Sequence, residues 1–346
     1  MKMVSLGIIG LGSSWEMRYA PAVRKLGQRI KIRAVYDPVA DRAKLAAPSL
    51  GAVAVQGVVA LAERIDVQAV LMLNSGWQGD ASLRLLYGRK KPIFVAGLHD
   101  ADTGSLQKLH EKTVADGIAI IPELGRRYTP ATARLQELMA TRLGRPRRIV
   151  IYAISGTAEE PQRAGGGMDI DCLTGLFDWC HYLVRSPAIS VEARKSRAGE
   201  RQPHESRTIA VRFQNARGGG EPTVAELHLP ESSSERLNQE TTSAATEWLP
   251  CEVICEKGTA LLQSATTITW TTDGEPIRES LASDRSEVEV MLDHFCRRVA
   301  GGLIPVADIA DLCYGTRMAQ AARDSLDTGE VIRLNGQHSG GASAAT

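Results

Sequence analysis

The stretch from Val4 to Asp37 restricts the fold more than any other part of the chain. Val4 to Ile9 is a short apolar run that ends in Gly10-Leu11-Gly12. A helical pattern follows from Arg18 to Leu26, closed by Gly27, and a second apolar run, IKIRAVY, spans Ile30 to Tyr36 and ends at Asp37. Strand, glycine turn, helix and a second strand with a terminal acid form a parallel βαβ unit of the dinucleotide-binding type. Glycine at 10 and 12 permits a tight turn and lets backbone N–H groups approach a diphosphate at a helix N-terminus. Ser13 and Ser14 add hydroxyl donors. An acid closing the second strand accepts hydrogen bonds from ribose hydroxyls and repels a 2′-phosphate, so Asp37 favours NAD; Arg42 keeps NADP open. The structural alternative is that the glycines only shape the turn and Asp37 caps the next helix ahead of Pro38. Trp15 stands where a third glycine normally allows close packing. Its indole must be taken up by a longer loop or obstruct the cofactor.

Further strands are expected at Val67–Leu73, Pro92–Val95 and Ile118–Ile121, with helices at Val58–Arg64, Asp80–Tyr87 and Thr103–Asp116 between them. This alternation implies a doubly wound parallel sheet covered on both faces, an α/β Rossmann-type domain. Pro130–Leu143 reads as one more helix, stopped by Gly144. After Arg148 the pattern changes. A strand at Ile149–Ile154, a Gly/Glu/Pro-rich loop and a helix near Met168–Val184 precede runs at Ser190–Ala193, Thr208–Phe213, Val224–Leu229, Cys251–Cys255, Thr259–Leu262 and Thr266–Trp270. Strands in series suggest a mostly antiparallel open sheet in a C-terminal α+β domain. Residues 231–247 read as a mobile loop, and helices at Glu287–Ala300 and Ala307–Asp327 close the chain. The expected division is a dinucleotide-binding domain at 1–125, a substrate and oligomerisation domain at 126–335 and a disordered tail at 336–346.

Charge narrows the list of partners. Lys+Arg 41 against Asp+Glu 40 gives a formal net charge of +1, which provides no long-range field to draw in nucleic acid or an anionic membrane. No apolar run approaches the ~20 residues that span a bilayer. The six cysteines include no CxxC pair and no Cys/His knuckle, a pattern of reduced thiols in a cytoplasmic protein with no metal site.

Several phrases in order resemble the Gfo/Idh/MocA oxidoreductase family, the group of glucose–fructose oxidoreductase and inositol dehydrogenase. They are GIIGLG at Gly7–Gly12, YAPAVRKL at Tyr19–Leu26, VYDPVADRA at Val35–Ala43, GRRYTPATARLQEL at Gly125–Leu138, LGRPRRI at Leu143–Ile149, GGGMDIDCLTGLFDWCHYL at Gly165–Leu183, EKGTALL at Glu256–Leu262 and SLDTGEVI at Ser325–Ile332. Aligning YAPAV requires one extra residue after Gly12, which lengthens the phosphate loop and offers Trp15 a way out of the cleft. The resemblance implies a nicotinamide-dependent enzyme of sugar-like or cyclitol-like polyols, and a homo-oligomer assembled through the C-terminal sheet.

Three of the family's signatures are missing. Its Glu-Lys-Pro after the fifth strand, whose Lys lies at nicotinamide and substrate, is here Ala96-Gly97-Leu98. Its Asp and His four apart on one helix face are here Asp171 and Gly175. Its Thr-Pro loop after the fourth strand is here Asn74-Ser75-Gly76-Trp77-Gln78-Gly79. A positioned general base is worth roughly 10²–10⁴-fold in rate, so losing Lys and His together points to changed or absent chemistry. Substitutes are Asp171, as a base raised in pKa by desolvation, and His99, beside Asp100 at the cleft mouth. Asn74 is a further cofactor contact. Arg127, Tyr128 and Asp169 are substrate candidates, with Glu123 and Arg126 beside them at a strand end. Two readings stand: an NAD(P)-dependent oxidoreductase with a non-standard proton donor, or a non-catalytic nucleotide-binding relative acting as sensor, scaffold or subunit partner.

Overall fold

The computed structural model describes residues 3–73, 79–97, 103–152, 173–196, 206–215, 220–230, 248–302 and 306–334. Asn74, His99, Asp100, Asp169, Asp171 and Cys172 lie outside these residues, as do the segment 231–247 and the C-terminal tail. The chain packs as two compact units, Met1–Tyr128 with Arg285–Cys313, and Thr129–Asp284 with Tyr314–Thr346. The return of 285–313 to the first unit is new, and a single division of the chain cannot express it.

In the first unit, strands β1 (Val4–Ile9), β2 (Ile30–Tyr36), β3 (Val53–Ala54), β4 (Ala69–Met72), β5 (Ile93–Val95) and β6 (Ile120–Pro122) form one sheet in the order β3-β2-β1-β4-β5-β6. Every neighbouring pair is parallel. β4 and β5 are buried along their whole length, as strands covered on both faces must be. The helices are α1 (Ala20–Lys25), α2 (Ala40–Ser49), α3 (Val58–Ala62), α4 (Gly79–Gly88), α5 (Thr103–Asp116) and the returning α8 (Glu287–Val299). Sequence reading missed α2, whose apolar stripe is reduced to Ala43 and Ala47. Helix α8 starts at a serine N-cap: the Ser286 hydroxyl accepts from Glu289 N–H at 3.3 Å and donates to the Glu289 carboxylate at 3.1 Å. Its apolar face places Val288, Met291, Leu292, Phe295 and Cys296 in the same core as the sheet.

The second unit contains α6 (Pro130–Leu138), α7 (Thr174–Val184) and nine strands: β7 (Pro146–Tyr152), β8 (Ala188–Ser196), β9 (Ser206–Phe213), β10 (Thr223–Pro230), β11 (Cys251–Cys255), β12 (Thr259–Ser264), β13 (Thr267–Thr271), β14 (Ile277–Ser280) and β15 (Ile332–Arg333). Their order is β14-β13-β12-β11-β7-β10-β9-β8-β15. All pairs are antiparallel except β7 with β10. Alternate residues such as Cys251, Val253 and Cys255, or Ile209, Val211 and Phe213, face a core shared with Leu135 and Leu138 of α6, Phe177 and Trp179 of α7, and Met318 and Ala322 of the final helix α9 (Ile309–Thr328). The other face is mixed, with Tyr152 and Leu261 exposed among charged side chains. Arg148 of β7 forms a bidentate pair with Glu226 of β10, at 3.1 and 2.6 Å, and Tyr152 stacks on His228 with centroids 5.3 Å apart. The expected α/β plus mostly antiparallel α+β architecture is therefore observed.

Candidate dinucleotide-binding site

The sheet order reverses at β1, which lies between β2 and β4. In open α/β sheets ligands bind outside the carboxyl ends of the strands at such a point. The glycine turn sits there. Gly10 has φ +86°, a left-handed value that glycine adopts without strain, and its N–H bonds Tyr36 O at 2.9 Å, extending the β1–β2 ladder by one rung. Trp15 N–H bonds Gly12 O at 2.9 Å, so the helix begins directly after the turn. Ser13 is exposed and Ser14 half-buried at this helix start, where unpaired N–H groups and the helix dipole favour an anion.

After Gly12, Trp15–Tyr19 is a π-helical turn leading straight into α1, a turn that holds one residue more than an α turn. The turn also directs the Trp15 side chain into the core of the first unit, where it is 6% exposed. The expected route out of the cleft through a longer loop is replaced by burial.

Asp37 is almost fully buried, and both carboxylate oxygens accept backbone hydrogen bonds. Oδ2 takes Leu11 N–H at 2.6 Å and Oδ1 takes Val39 N–H at 2.7 Å. The second bond is an Asx turn just ahead of α2; the cap of α2 is Val39, with no side-chain cap bond, so Asp37 does not cap that helix as the structural alternative expected. The first ties the acid to the glycine turn, which the sequence did not indicate.

At the other strand ends, Ala96 follows β5 and donates its N–H to Met72 O at 2.9 Å. Gly97 has φ +74°, and a Cβ there would meet nothing within 4 Å. Space does not forbid a lysine at 97, but the backbone conformation disfavours any side chain. Beyond β6, Glu123 pairs with Arg18 at 2.7 Å, and Arg18 also reaches Glu287 at 3.5 Å. Burial is the largest influence and opposes the Arg18 charge, yet Glu123, Tyr19 and Glu287 together outweigh it and the pKa rises. Tyr19, stacked edge-on to Phe94, has its phenol pushed well above the usual value, by burial first and then by Glu123.

Arg127 and Tyr128 lie in a 3-10 turn, Gly125–Tyr128, and both are buried. The Arg127 guanidinium donates to Val306 O at 2.7 Å and pairs with Asp311 at 2.8 Å. Tyr128 packs edge-on against His294 at 5.6 Å. Arg127→Ala should lower stability by about 1–3 kcal/mol, because a buried carbonyl and a carboxylate lose their donor. It should leave the KM for any polyol within about twofold, and steady-state kinetics beside a urea melt checks both.

In the second unit, Gly175 lies in the first turn of α7, and a Cβ built on it meets nothing within 4 Å. Asp178 is buried, and His181 packs on Tyr314 at 4.2 Å and Phe213 at 6.5 Å. Among the described residues no cluster of His, Cys, Asp or Glu has the form of a metal site, and no helix is long and apolar enough to cross a membrane.

No protein-family model and no curated protein sequence matches the chain. Solved structures do match, over nearly the full length of both partners. UDP-N-acetylglucosamine 3-dehydrogenase GnnA from Acidithiobacillus ferrooxidans superposes with TM-score 0.72 at 17% identity, covering 94% of this chain and 99% of that one. An oxidoreductase from Agrobacterium radiobacter in complex with NAD+, L-tartaric acid and magnesium gives 0.74 at 17% identity, with 96% and 98% covered. Scyllo-inositol dehydrogenase from Lactobacillus casei, with bound NAD(H) and scyllo-inositol, gives 0.71 at 14% identity, with 96% and 99% covered. This chain has their fold. At such identities the likeness establishes architecture, and function rests on the site itself.

Proposed function

We propose that this chain is a divergent Gfo/Idh/MocA-type oxidoreductase that binds NAD and oxidises a polyol or sugar-like alcohol. The observation that carries the reading is the glycine turn at the switch point of a β3-β2-β1-β4-β5-β6 parallel sheet, with Asp37 closing β2 against it. Three solved structures of this fold are named as dehydrogenases or as holding NAD. The residues at the turn fit a dinucleotide: Gly10 is left-handed, Gly12 precedes a helix start, and Ser13 and Ser14 remain accessible. Gly10, Gly12, Ser13, Ser14 and the neighbourhood of Asp37 would hold the cofactor, with Asn74 at the end of β4 as a further contact. NADP stays admissible beside the exposed Arg42.

Bound NAD supplies a hydride acceptor. The chain must then remove the hydroxyl proton of the substrate, and Asp171, with His99 as the alternative, is the proposed base. Asp169 is the proposed substrate contact beside Asp171 in the sequence. Arg127 and Tyr128 enter as buried supports of the strand ends. Titration with NAD should stabilise the protein by about 2.7 kcal/mol at a hundredfold excess over Kd, read as a rise in Tm. A panel of cyclitols, sugars and polyols with NAD should then yield NADH absorbance.

A second reading is favoured by one observation: positions 97 and 175 are both glycine, so the usual proton handlers are absent. A nucleotide-binding relative without turnover would show the NAD-induced rise in Tm and no NADH with any alcohol of the panel. Assembly through the open sheet of the second unit is proposed for both readings, and sedimentation against protein concentration tests it.

A further inference from the structure

We infer that Asp37 acts as a positioning residue, a brace that holds the glycine turn in its anion-receiving form, and that it does not clamp the adenosine ribose. The inference rests on the dinucleotide-binding reading above and departs from the ribose contact expected of an acid in this place.

Asp37 is buried, 4% exposed over the whole residue, which leaves a ribose hydroxyl little surface through which to reach its carboxylate. Both oxygens already hold short, charge-assisted bonds, 2.6 Å from Leu11 N–H and 2.7 Å from Val39 N–H. Leu11 lies between the two glycines and is itself 5% exposed, so water cannot take over its N–H. Gly10 hands its own N–H to Tyr36 O, the residue next to Asp37. Two successive amides of the turn are thus tied to the end of β2, and the carboxylate sets the direction in which Gly12 and the helix start project. An Asn at 37 has one acceptor oxygen where two N–H groups converge. One of them would face an NH₂ group, and the turn would have to move.

The test is a cycle with one protein change and one ligand change. Wild type and Asp37→Asn are titrated with NAD and with NAD whose adenosine ribose lacks the 2′-hydroxyl. A brace predicts that Asp37→Asn weakens both ligands by the same factor, about tenfold or more, the worth of a lost charge-assisted bond. It also predicts that deleting the hydroxyl costs the wild type less than about threefold. Loss of affinity on removing the 2′-hydroxyl that vanishes in Asp37→Asn would overturn the brace and establish a clamp. Amide exchange at Leu11, measured without nucleotide, separates this claim from the broader one. It should quicken at least tenfold in Asp37→Asn, and unchanged exchange rejects the brace whatever the ligand data. Absence of NAD affinity in wild type with quickened exchange would reject the proposed function and keep the brace as a structural device. If Asp37→Asn does not fold, Asp37→Ser, with one small acceptor, serves in the same measurements.

Discussion

Histidine at position 175 should raise the rate of NAD-dependent polyol oxidation by about 10²–10⁴-fold over wild type, the value of a positioned general base. Three things make Gly175→His an informative change. Position 175 lies in the first turn of α7, and an added Cβ meets nothing within 4 Å, so the first side-chain atom displaces no neighbour. Glycine is a poor helix former, so the change should favour α7 by a few tenths of a kcal/mol, up to about 1. Asp171, the proposed base, precedes it by four residues in the sequence, and a carboxylate beside an imidazole orients it. The gain should appear in kcat with a pH profile rising through the imidazole range, while the affinity for NAD stays unchanged. A rate no higher than wild type across the alcohol panel would show that proton transfer is not what this chain lacks. Gly97→Lys is the less favourable partner experiment, because φ +74° would strain any side chain placed there.

Asp293→Ala should cost about 3–5 kcal/mol, the range for removing one member of a buried ion pair. The carboxylate is 2% exposed on α8 and gathers three arginines: Arg29 at 2.8 Å, Arg297 at 3.0 Å and Arg285 at 3.4 Å. Arg29 sits between α1 and β2 and is itself largely buried, so its guanidinium would keep its desolvation cost and lose its counter-charge. Arg297 and Arg285 are each nearly half exposed, and solvent screens them. Arg297→Ala should therefore cost under about 1 kcal/mol. A shift of the urea midpoint at constant slope measures both changes. Similar small losses for the two variants would show that α8 is held to the first unit by its apolar face alone.

The sheet of the first unit and its glycine turn were legible because they are written locally. Apolar runs of four to seven residues, glycine at the turn and an acid at a strand end are patterns confined to a few neighbouring positions. Most antiparallel strands of the second unit were legible for the same reason. β3, β14 and β15 were not. Ile277–Ser280 is almost wholly exposed, and Val53–Ala54 and Ile332–Arg333 are two residues long. None of these segments has enough alternation to show a period, and each is a strand only because a neighbouring edge supplies hydrogen bonds.

The roles of single side chains divide along the same line. Gly10 was readable because its constraint is its own φ angle. Trp15 was readable only as a problem; its solution, a π turn that buries the indole, required the core of the first unit to exist. Arg127 and Tyr128 looked like ligand contacts from their place after a strand, but their partners, Val306, Asp311 and His294, stand more than 160 residues further along the chain. Asp37 was identified correctly as the acid that closes β2, yet its carboxylate is oriented by Leu11 N–H, 26 residues earlier.

The sequence by itself determined the class of the longer, periodic elements and the position of the turn, since their secondary structure follows from short-range periodicity and backbone preference. Tertiary structure alone decided which unit residues 285–313 join, that β7 and β10 run parallel, and which polar groups are already occupied. Those outcomes depend on which distant donors and acceptors are buried together, and burial is a property of the folded chain.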